Sequence, residues 1–294
     1  MEQLRAELSH LLGEELSRME CVSEKPDSAL WTLYDSRGNP MPLMARSFTT
    51  PGLAQQLAWK ISMLARSGTV RMPVVYGVMT HEEHPGPDVL LIERLRGVPV
   101  EAPARTPERW EQLKDQIVEG LLSWHRQDSH GCVGTVDSTQ ENIWPSWYRQ
   151  RVEVLWTTLN QYQNTGLTMQ DKRLLFRTRE CLPALFEGFN DNCVLVHGSF
   201  NLRSMLKDAR SDQLLAMVGP GIMLWAPREY ELFRLVDGPQ AEGLLWHYLQ
   251  RAPVAESFIW RRWLYLLWDE VAQLVNTGRF NRANVDPVSY THLT

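Results

Sequence analysis

The chain has 294 residues, of which 44% are hydrophobic and 22% charged, and its formal net charge is −5. This is enough apolar material for a large core in one domain or two lobes, which excludes the disordered and fibrous classes. Lys and Arg are scattered among Asp and Glu and form no basic stripe, so we expect no nucleic-acid partner.

The cysteines and the amino terminus indicate the compartment. The four cysteines lie far apart and form no CxxC pair, which favours free thiols over a disulfide or a zinc site. Glu2, Arg5 and Glu7 fall where a signal peptide needs an apolar core, and no apolar run approaches the ~20 residues that span a bilayer. We therefore expect a cytoplasmic protein without a membrane partner.

The first 96 residues predict one helix and then a five-stranded sheet with a second helix inserted. Leu4, Leu8 and Leu12 follow helical spacing. Three short apolar segments separated by turn formers follow, in CVSEKPDSALWTLYDSRGNPMPLMARSF. The stretch LAQQLAWKISMLARSG has a helical apolar stripe and ends at Gly68. MPVVYGVM and DVLLIERL then predict the fourth and fifth strands.

From Thr106 onward the pattern becomes helical. Thr106 is a capping residue, Pro107 suits the first helical position, and the Glu108 charge is favourable near the positive end of the helix dipole. Further helices are predicted over residues 147–159, 171–186, 230–237, 241–250 and 256–276. Only one region of this half is predicted to form strands, namely CVLV and the hairpin SMLKDARSDQLLAMV.

Five stretches, in this order along the chain, carry a resemblance to a known family: LARSGTVRMPVVYGV, LLIERLRG, STQENIWPSWY, LVHGSFNLRSML and GPGIMLWAPREYELFRL. They resemble the fructosamine kinase and aminoglycoside phosphotransferase branch of the protein-kinase-like fold, and more narrowly the YcbJ type of bacterial phosphotransferase-like proteins. The resemblance implies an α+β, two-lobed fold. Residues 1–96 would form the small lobe, a five-stranded antiparallel sheet with one inserted helix, and residues 97–294 the larger, mainly helical lobe. A nucleotide or small-molecule ligand is expected in the cleft between the lobes.

The resemblance places the reacting groups in and after VHGSFNLRSML. Phosphoryl transfer in this branch needs a carboxylate that orients the accepting hydroxyl and oxygen ligands that hold magnesium. After His197 that carboxylate is replaced by Ser199, which is neither a base nor an anion at neutral pH. The metal-binding amide falls at Ser204, and the second metal carboxylate falls at Gly219, which offers no ligand. These substitutions argue against a magnesium site and against the usual catalysis.

The phosphate-binding lysine of the family falls at Arg46, or at Ala45 if the register differs by one residue. Arginine binds phosphate bidentately but is not interchangeable with lysine. The usual glutamate partner on the inserted helix falls at Gln56 or Leu57. The loop SEKPDS between the first two strands has no glycine with which to approach phosphates closely.

The hinge is the part of the nucleotide site that this sequence leaves intact. In this fold the hinge holds adenine through backbone groups, which every side chain permits. ATP therefore remains a compatible ligand, and the resemblance assigns its adenine to a segment that includes Leu91, Glu93 and Leu95.

Residues that shape the loop are also kept. His197 and Gly198 form the turn, and Glu231 stands in place of an aspartate that binds the loop backbone in this fold. The groups that touch metal and phosphate are changed while those that hold the loop are retained. This favours a catalytically degenerate protein, a pseudokinase, that binds a nucleotide or small molecule and acts in regulation; no protein partner can be named.

Two alternatives stay open. One is an active phosphotransferase that takes its base and metal ligands from other residues, the candidates being Asp191, Asp208, Glu229, Glu231 and Asn201. For Asp208 and Asp212 an exposed hairpin turn is the plainer explanation, and for Glu231 a structural hydrogen-bond acceptor. The other alternative is an unrelated α/β protein with the same order of elements.

Overall fold

The computed structural model describes residues 2–81, 86–137, 140–162, 165–236 and 238–282, without the side chains of residues 140 and 141. The chain forms two compact units. Unit 1 comprises Met1–Leu113 and Arg203–Pro220, and unit 2 comprises Lys114–Leu202 and Gly221–Thr294. The lobe boundary expected between residues 96 and 97 stays a prediction.

Unit 1 contains the predicted five-stranded sheet. Its strands are β1 (Arg18–Lys25), β2 (Ser28–Tyr34), β3 (Pro40–Phe48), β4 (Val75–Met79) and β5 (Asp88–Glu93). They lie in the order β1-β2-β3-β5-β4, and every neighbouring pair is antiparallel. The helix α1 (Glu2–Leu12) precedes the sheet, and α2 (Leu53–Ser67) is inserted after the third strand. This part of the prediction is confirmed.

Helix α1 covers one face of this sheet. Leu4 and Leu8 of the helix pack in one apolar cluster with Ala45 and Leu91 of the central strands. Successive side chains of a strand point to opposite faces of its sheet. Ala45 therefore faces α1, and Arg46 lies on the opposite face.

A second, smaller sheet in unit 1 carries the predicted hairpin. Its strands are β6 (Val98–Pro99), β10 (Met205–Lys207) and β11 (Leu214–Met217), in the order β11-β10-β6. The hairpin β10–β11 is confirmed. Strand β6 was not predicted. Two residues are too few to show an alternation of apolar and polar side chains, and the strand they pair with lies over 100 residues away in the chain.

The helices of the second half lie close to where the sequence predicts them. They are α3 (Pro107–His125), α4 (Trp144–Gln161), α5 (Met169–Glu180), α6 (Leu182–Leu185), α7 (Glu229–Leu232), α8 (Pro239–Arg251) and α9 (Phe258–Thr277). The single helix predicted over 171–186 is two helices, because Pro183 cannot continue a helix and lies in the first turn of the next one. The helix predicted over 230–237 has four residues, and residue 237 lies outside the described residues.

The prediction of only one strand-forming region in this half was wrong. Unit 2 holds a four-stranded sheet of β7 (Cys132–Thr135), β8 (Gln140–Glu141), β9 (Cys193–Val196) and β12 (Leu224–Pro227), in the order β8-β7-β12-β9. Strands of two to four residues are too short for periodicity to identify. No helix in the described part of the chain is long and apolar enough to cross a membrane.

Aromatic packing fixes the short helix α7 in unit 2. The ring of Tyr230 lies 6.0 Å from that of Tyr148 in α4 and 5.0 Å from that of Tyr265 in α9. All three tyrosines are buried. Packed aromatic pairs stabilise beyond the area they bury, so α7 is held firmly enough to position its neighbouring acidic residues.

Candidate functional site

The loop after β9 is shaped by two glycines. Gly198 has φ +77°, and a Cβ there would lie 2.1 Å from the carbonyl oxygen of Ile222. A Cβ on Gly221 would lie 2.4 Å from the Gly198 oxygen. The Gly221 N–H donates to the His197 oxygen at 3.1 Å. Only glycine permits this approach of two backbone segments, so both positions are structural requirements of the loop.

Glu231 supports the same loop from α7. Its buried carboxylate accepts the backbone N–H of His197 and, at 3.2 Å, that of Gly198. Burial raises the pKa of Glu231 to about 7, and the His197 N–H and the Arg234 charge only partly oppose this. The side chain that the sequence named as catalytic thus binds the loop backbone and has no exposed surface.

His197 packs inside unit 2. Its imidazole is fully buried and stacks on the indole of Trp124, with ring centroids 5.7 Å apart. Burial lowers the pKa of His197 to about 3, so the ring is neutral at physiological pH. Neither ring nitrogen has a hydrogen-bond partner among the described residues. His197 is therefore part of the wall behind the loop.

Ser199 occupies the expected position of the reacting carboxylate. The residue is partly exposed, and its backbone oxygen accepts a hydrogen bond from the Asn201 amide at 3.0 Å. The Asn201 side chain is thereby turned onto its own loop. Ile222, packed against Gly198, is 46% exposed. Ser199 thus contributes a neutral hydroxyl to this part of the loop, and Ile222 contributes an aliphatic side chain.

Ser204 and Gly219 lie in unit 1. Ser204 is buried, and its backbone oxygen accepts the N–H of Val218 at 2.8 Å. Gly219 is exposed, has φ +64°, and has open space where a Cβ would be. Among the described residues, no group of three or more His, Cys, Asp or Glu side chains could hold a metal ion. Magnesium is usually bound through carboxylates, and neither Ser204 nor Gly219 supplies one.

Arg46 is the cation on the sheet face opposite α1. Its side chain is half-buried, lies against the Phe48 ring, and donates from Nη2 to the Ser28 hydroxyl at 3.1 Å. Burial lowers the pKa of Arg46, while the charge of Asp27 acts in the opposite direction. Helix α2 contains no acidic residue, so the usual glutamate partner is missing.

The hinge residues have distinct environments. Leu91 is buried against α1. The Glu93 carboxylate is bound by the Arg71 guanidinium and by the Val74 N–H, and the Glu93 N–H donates to the Val74 oxygen at 2.8 Å. The backbone N–H of Leu95 has no backbone acceptor in the described ranges. The Leu95 N–H is therefore a backbone donor without a backbone acceptor among these residues, whereas the Glu93 N–H is bound by the Val74 oxygen.

The exposed-turn interpretation was wrong for Asp212 and holds for Asp208. Asp212 is 3% exposed and binds Lys207 Nζ at 2.8 Å and the Arg105 N–H at 3.0 Å. Asp208 accepts the backbone N–H groups of residues 210 and 211, as a turn aspartate does. A signal for the buried pair was present, because Lys207 shares a strand face with the core residue Met205 and a buried lysine needs a partner.

The other acidic candidates do not converge on the loop. Glu229 is buried and accepts Nε and Nη2 of Arg261 at 2.7 and 2.6 Å, and also the Tyr265 hydroxyl. Asp191 lines a separate cleft of about 460 Å³ in unit 2, together with Asp128 and Cys193. Glu229 is therefore occupied by Arg261 and Tyr265, and the cleft that Asp191 lines does not include the loop after β9 among its described lining residues.

Comparisons with known proteins agree with this fold. A model of the phosphotransferase enzyme family matches residues 47–266. The protein YcbJ of Escherichia coli (strain K12) is 85% identical over 289 residues, which cover 98% of this chain and 97% of that protein. A putative fructosamine-3-kinase from Thermobifida fusca has a TM-score of 0.67 and 20% identity, covering 98% of each chain. A thermostable mutant of aminoglycoside phosphotransferase APH(4)-Ia, solved with ADP and hygromycin B, has a TM-score of 0.72 and 15% identity over 97% and 95% of the two chains. The predicted fold class is confirmed.

Proposed function

The chain belongs to the phosphotransferase enzyme family, and from that premise we propose that it is a catalytically degenerate member which binds a nucleotide or small molecule and acts in regulation. One observation carries the proposal. The loop after β9 keeps its backbone supports, while the positions for the base and the metal ligands hold Ser199, Ser204 and Gly219.

The physical reason is electrostatic. In phosphoryl transfer, negative charge on the equatorial oxygens must be met by fixed positive charge, which magnesium held by protein oxygen ligands normally provides. A hydroxyl and a glycine supply no carboxylate ligand for it. Loss of general acid–base help alone lowers a rate by about 10² to 10⁴. Little phosphoryl transfer is expected from this set of side chains.

Nucleotide binding is proposed separately from catalysis. The Leu95 N–H is an available donor for the edge of an adenine ring, and backbone recognition does not depend on the side chains that were replaced. The aminoglycoside phosphotransferase above was solved with ADP, and we infer an adenine-containing ligand for this chain.

An active enzyme with non-standard residues is the second candidate, and one observation favours it. The pKa of Glu231 is raised to about 7, and a carboxyl that titrates near neutrality suits a general base. Against this, Glu231 is buried on the loop backbone, and Glu229 is bound by Arg261. We therefore place the inert protein first.

The test is binding and turnover with and without magnesium. Adenosine is expected to raise the melting temperature of the full chain, and magnesium is expected to add nothing to any stabilisation by ATP. Ser199→Asp is expected to restore no turnover, because Ser204 and Gly219 still provide no metal ligands. Magnesium-dependent stabilisation, or ATP turnover abolished by Glu231→Gln, would establish the enzyme instead.

A matched pair of hinge variants tests the binding mode. Leu95→Pro removes the backbone donor and is expected to abolish the adenosine-induced shift in melting temperature. Leu95→Ala keeps the N–H and is expected to retain it. Equal shifts for both variants would show that adenine is not held by this donor.

A further inference from the structure

The turn between β1 and β2 lies beside Arg46 and is held in place. Lys25 pairs with Ser28, so the connection contains only Pro26 and Asp27. The Asp27 backbone oxygen accepts the N–H and the hydroxyl of Thr49 at 3.0 and 3.3 Å, which ties the turn to the end of β3. A two-residue turn without glycine, fixed in this way, cannot fold over a chain of phosphates.

This turn also presents a carboxylate to the cation. Arg46 Nη2 donates to the Ser28 hydroxyl at 3.1 Å, and that hydroxyl donates to the Asp27 carboxylate at 3.3 Å. Ser28 is 5% exposed, so the connecting hydroxyl is shielded from water. The Asp27 charge helps to keep the Arg46 guanidinium protonated, since it raises a pKa that burial lowers. The cation thus already has an anionic neighbour within its own sheet.

A nucleoside triphosphate brings several negative charges to such a site. Enzymes of this fold offset them with magnesium and a lysine aligned by an acidic partner. Here α2 has no acidic residue, and the magnesium positions hold Ser204 and Gly219. The positive charge of Arg46 is partly offset by the nearby Asp27 carboxylate. Asp27 would in addition repel the phosphate charges of a bound nucleotide.

We propose that Asp27 sets the ligand class of this site, so that it favours a nucleoside without phosphate groups over a nucleoside triphosphate. This inference rests on the proposed nucleotide-binding function and specifies its ligand. The base is held at the hinge, where no side-chain charge is required, and the phosphate end is closed by the Asp27–Ser28–Arg46 contact.

The experiment is calorimetric titration of the full chain with adenosine, ATP and inorganic pyrophosphate, without magnesium. Wild type is expected to bind adenosine at least about tenfold more tightly than ATP. Asp27→Asn is expected to raise the ATP affinity about fivefold, the effect of removing one nearby like charge, and to leave the adenosine affinity unchanged. Asp35→Asn removes the same charge from the turn at the other end of β2 and is expected to change neither affinity. Asp27→Ser serves as a second variant if Asp27→Asn unfolds.

The outcomes separate this inference from the function on which it rests. If adenosine binds but wild type and Asp27→Asn bind ATP equally well, the role of Asp27 is refuted and nucleotide binding stands. If no variant binds adenosine but Asp27→Asn gains pyrophosphate binding, the hinge proposal fails and anion exclusion by Asp27 stands. Equal affinity of wild type for ATP and adenosine overturns the inference directly.

Discussion

Two buried carboxylates, Glu231 in unit 2 and Asp212 in unit 1, are held in opposite ways. Glu231 meets backbone N–H groups, and burial raises its pKa to about 7. Asp212 meets Lys207 and the Arg105 N–H, and the Lys207 hydrogen bond holds its pKa below the ordinary value. Burial disfavours a charge, and a nearby opposite charge restores it. The β10–β11 hairpin therefore contains an ion pair that is charged at neutral pH, whereas Glu231, which supports the loop after β9, titrates near neutrality.

The largest expected effect comes from breaking the ion pair. Lys207→Met removes the buried cation and leaves the Asp212 carboxylate with the Arg105 N–H and the partly exposed Arg109 guanidinium. We expect the free energy of unfolding to fall by about 3 kcal/mol in urea titrations. The double variant Lys207→Met with Asp212→Asn removes both charges and should recover much of that loss. A single variant as stable as wild type would show that the pair is not effectively buried.

The second prediction concerns pH. The Glu231 pKa in the folded state, about 7, lies above its ordinary value of 4.5, so the folded protein binds this proton more tightly. The free energy of unfolding should therefore fall by roughly 3 kcal/mol from this group as the pH rises from about 4.5 to 7. Glu231→Gln keeps an acceptor oxygen and removes the titration, so this contribution should disappear from a series of urea titrations.

The pH dependence of Glu231→Gln must be compared with that of wild type, because two buried histidines change the free energy of unfolding with pH in the opposite direction. Burial lowers the pKa of His125 and of His197 to about 3. They therefore add stability as the pH rises from about 3 to 6.5, since only the unfolded chain binds their protons there. The difference between wild type and Glu231→Gln isolates the carboxyl. Parallel curves for the two proteins would contradict the assignment of the titration to Glu231.

The smallest expected effect is at the edge of the ion pair. Arg109 is 40% exposed and its Nη1 lies 3.5 Å from the Asp212 carboxylate. Partly exposed ion pairs contribute little, so Arg109→Gln should lower the free energy of unfolding by less than ~1 kcal/mol. A shift in melting temperature as large as that of Lys207→Met would make Arg109, and not Lys207, the main partner of Asp212.

Local signals explain which parts of the fold could be predicted. The five strands of the first sheet have apolar segments separated by turn residues, and α2 has a helical stripe that ends at Gly68. Strands β6, β7, β8 and β12 have two to four residues, too few for a pattern; β6, β7 and β12 pair with strands distant in the chain, and β8 pairs with the nearby β7. The choice between Arg46 and Ala45 likewise needed the sheet, because the α1 cluster buries Ala45 and leaves Arg46 on the other face.

The sequence by itself determined which chemical groups the loop region carries, since no fold can create a carboxylate at Ser199 or Gly219. Only the tertiary structure decided the state of the acids that are present. Asp212, Glu229 and Glu231 are all acidic residues in the sequence, yet each is buried with a different partner. Burial and pKa depend on groups brought from distant parts of the chain, and that information is absent from any local pattern.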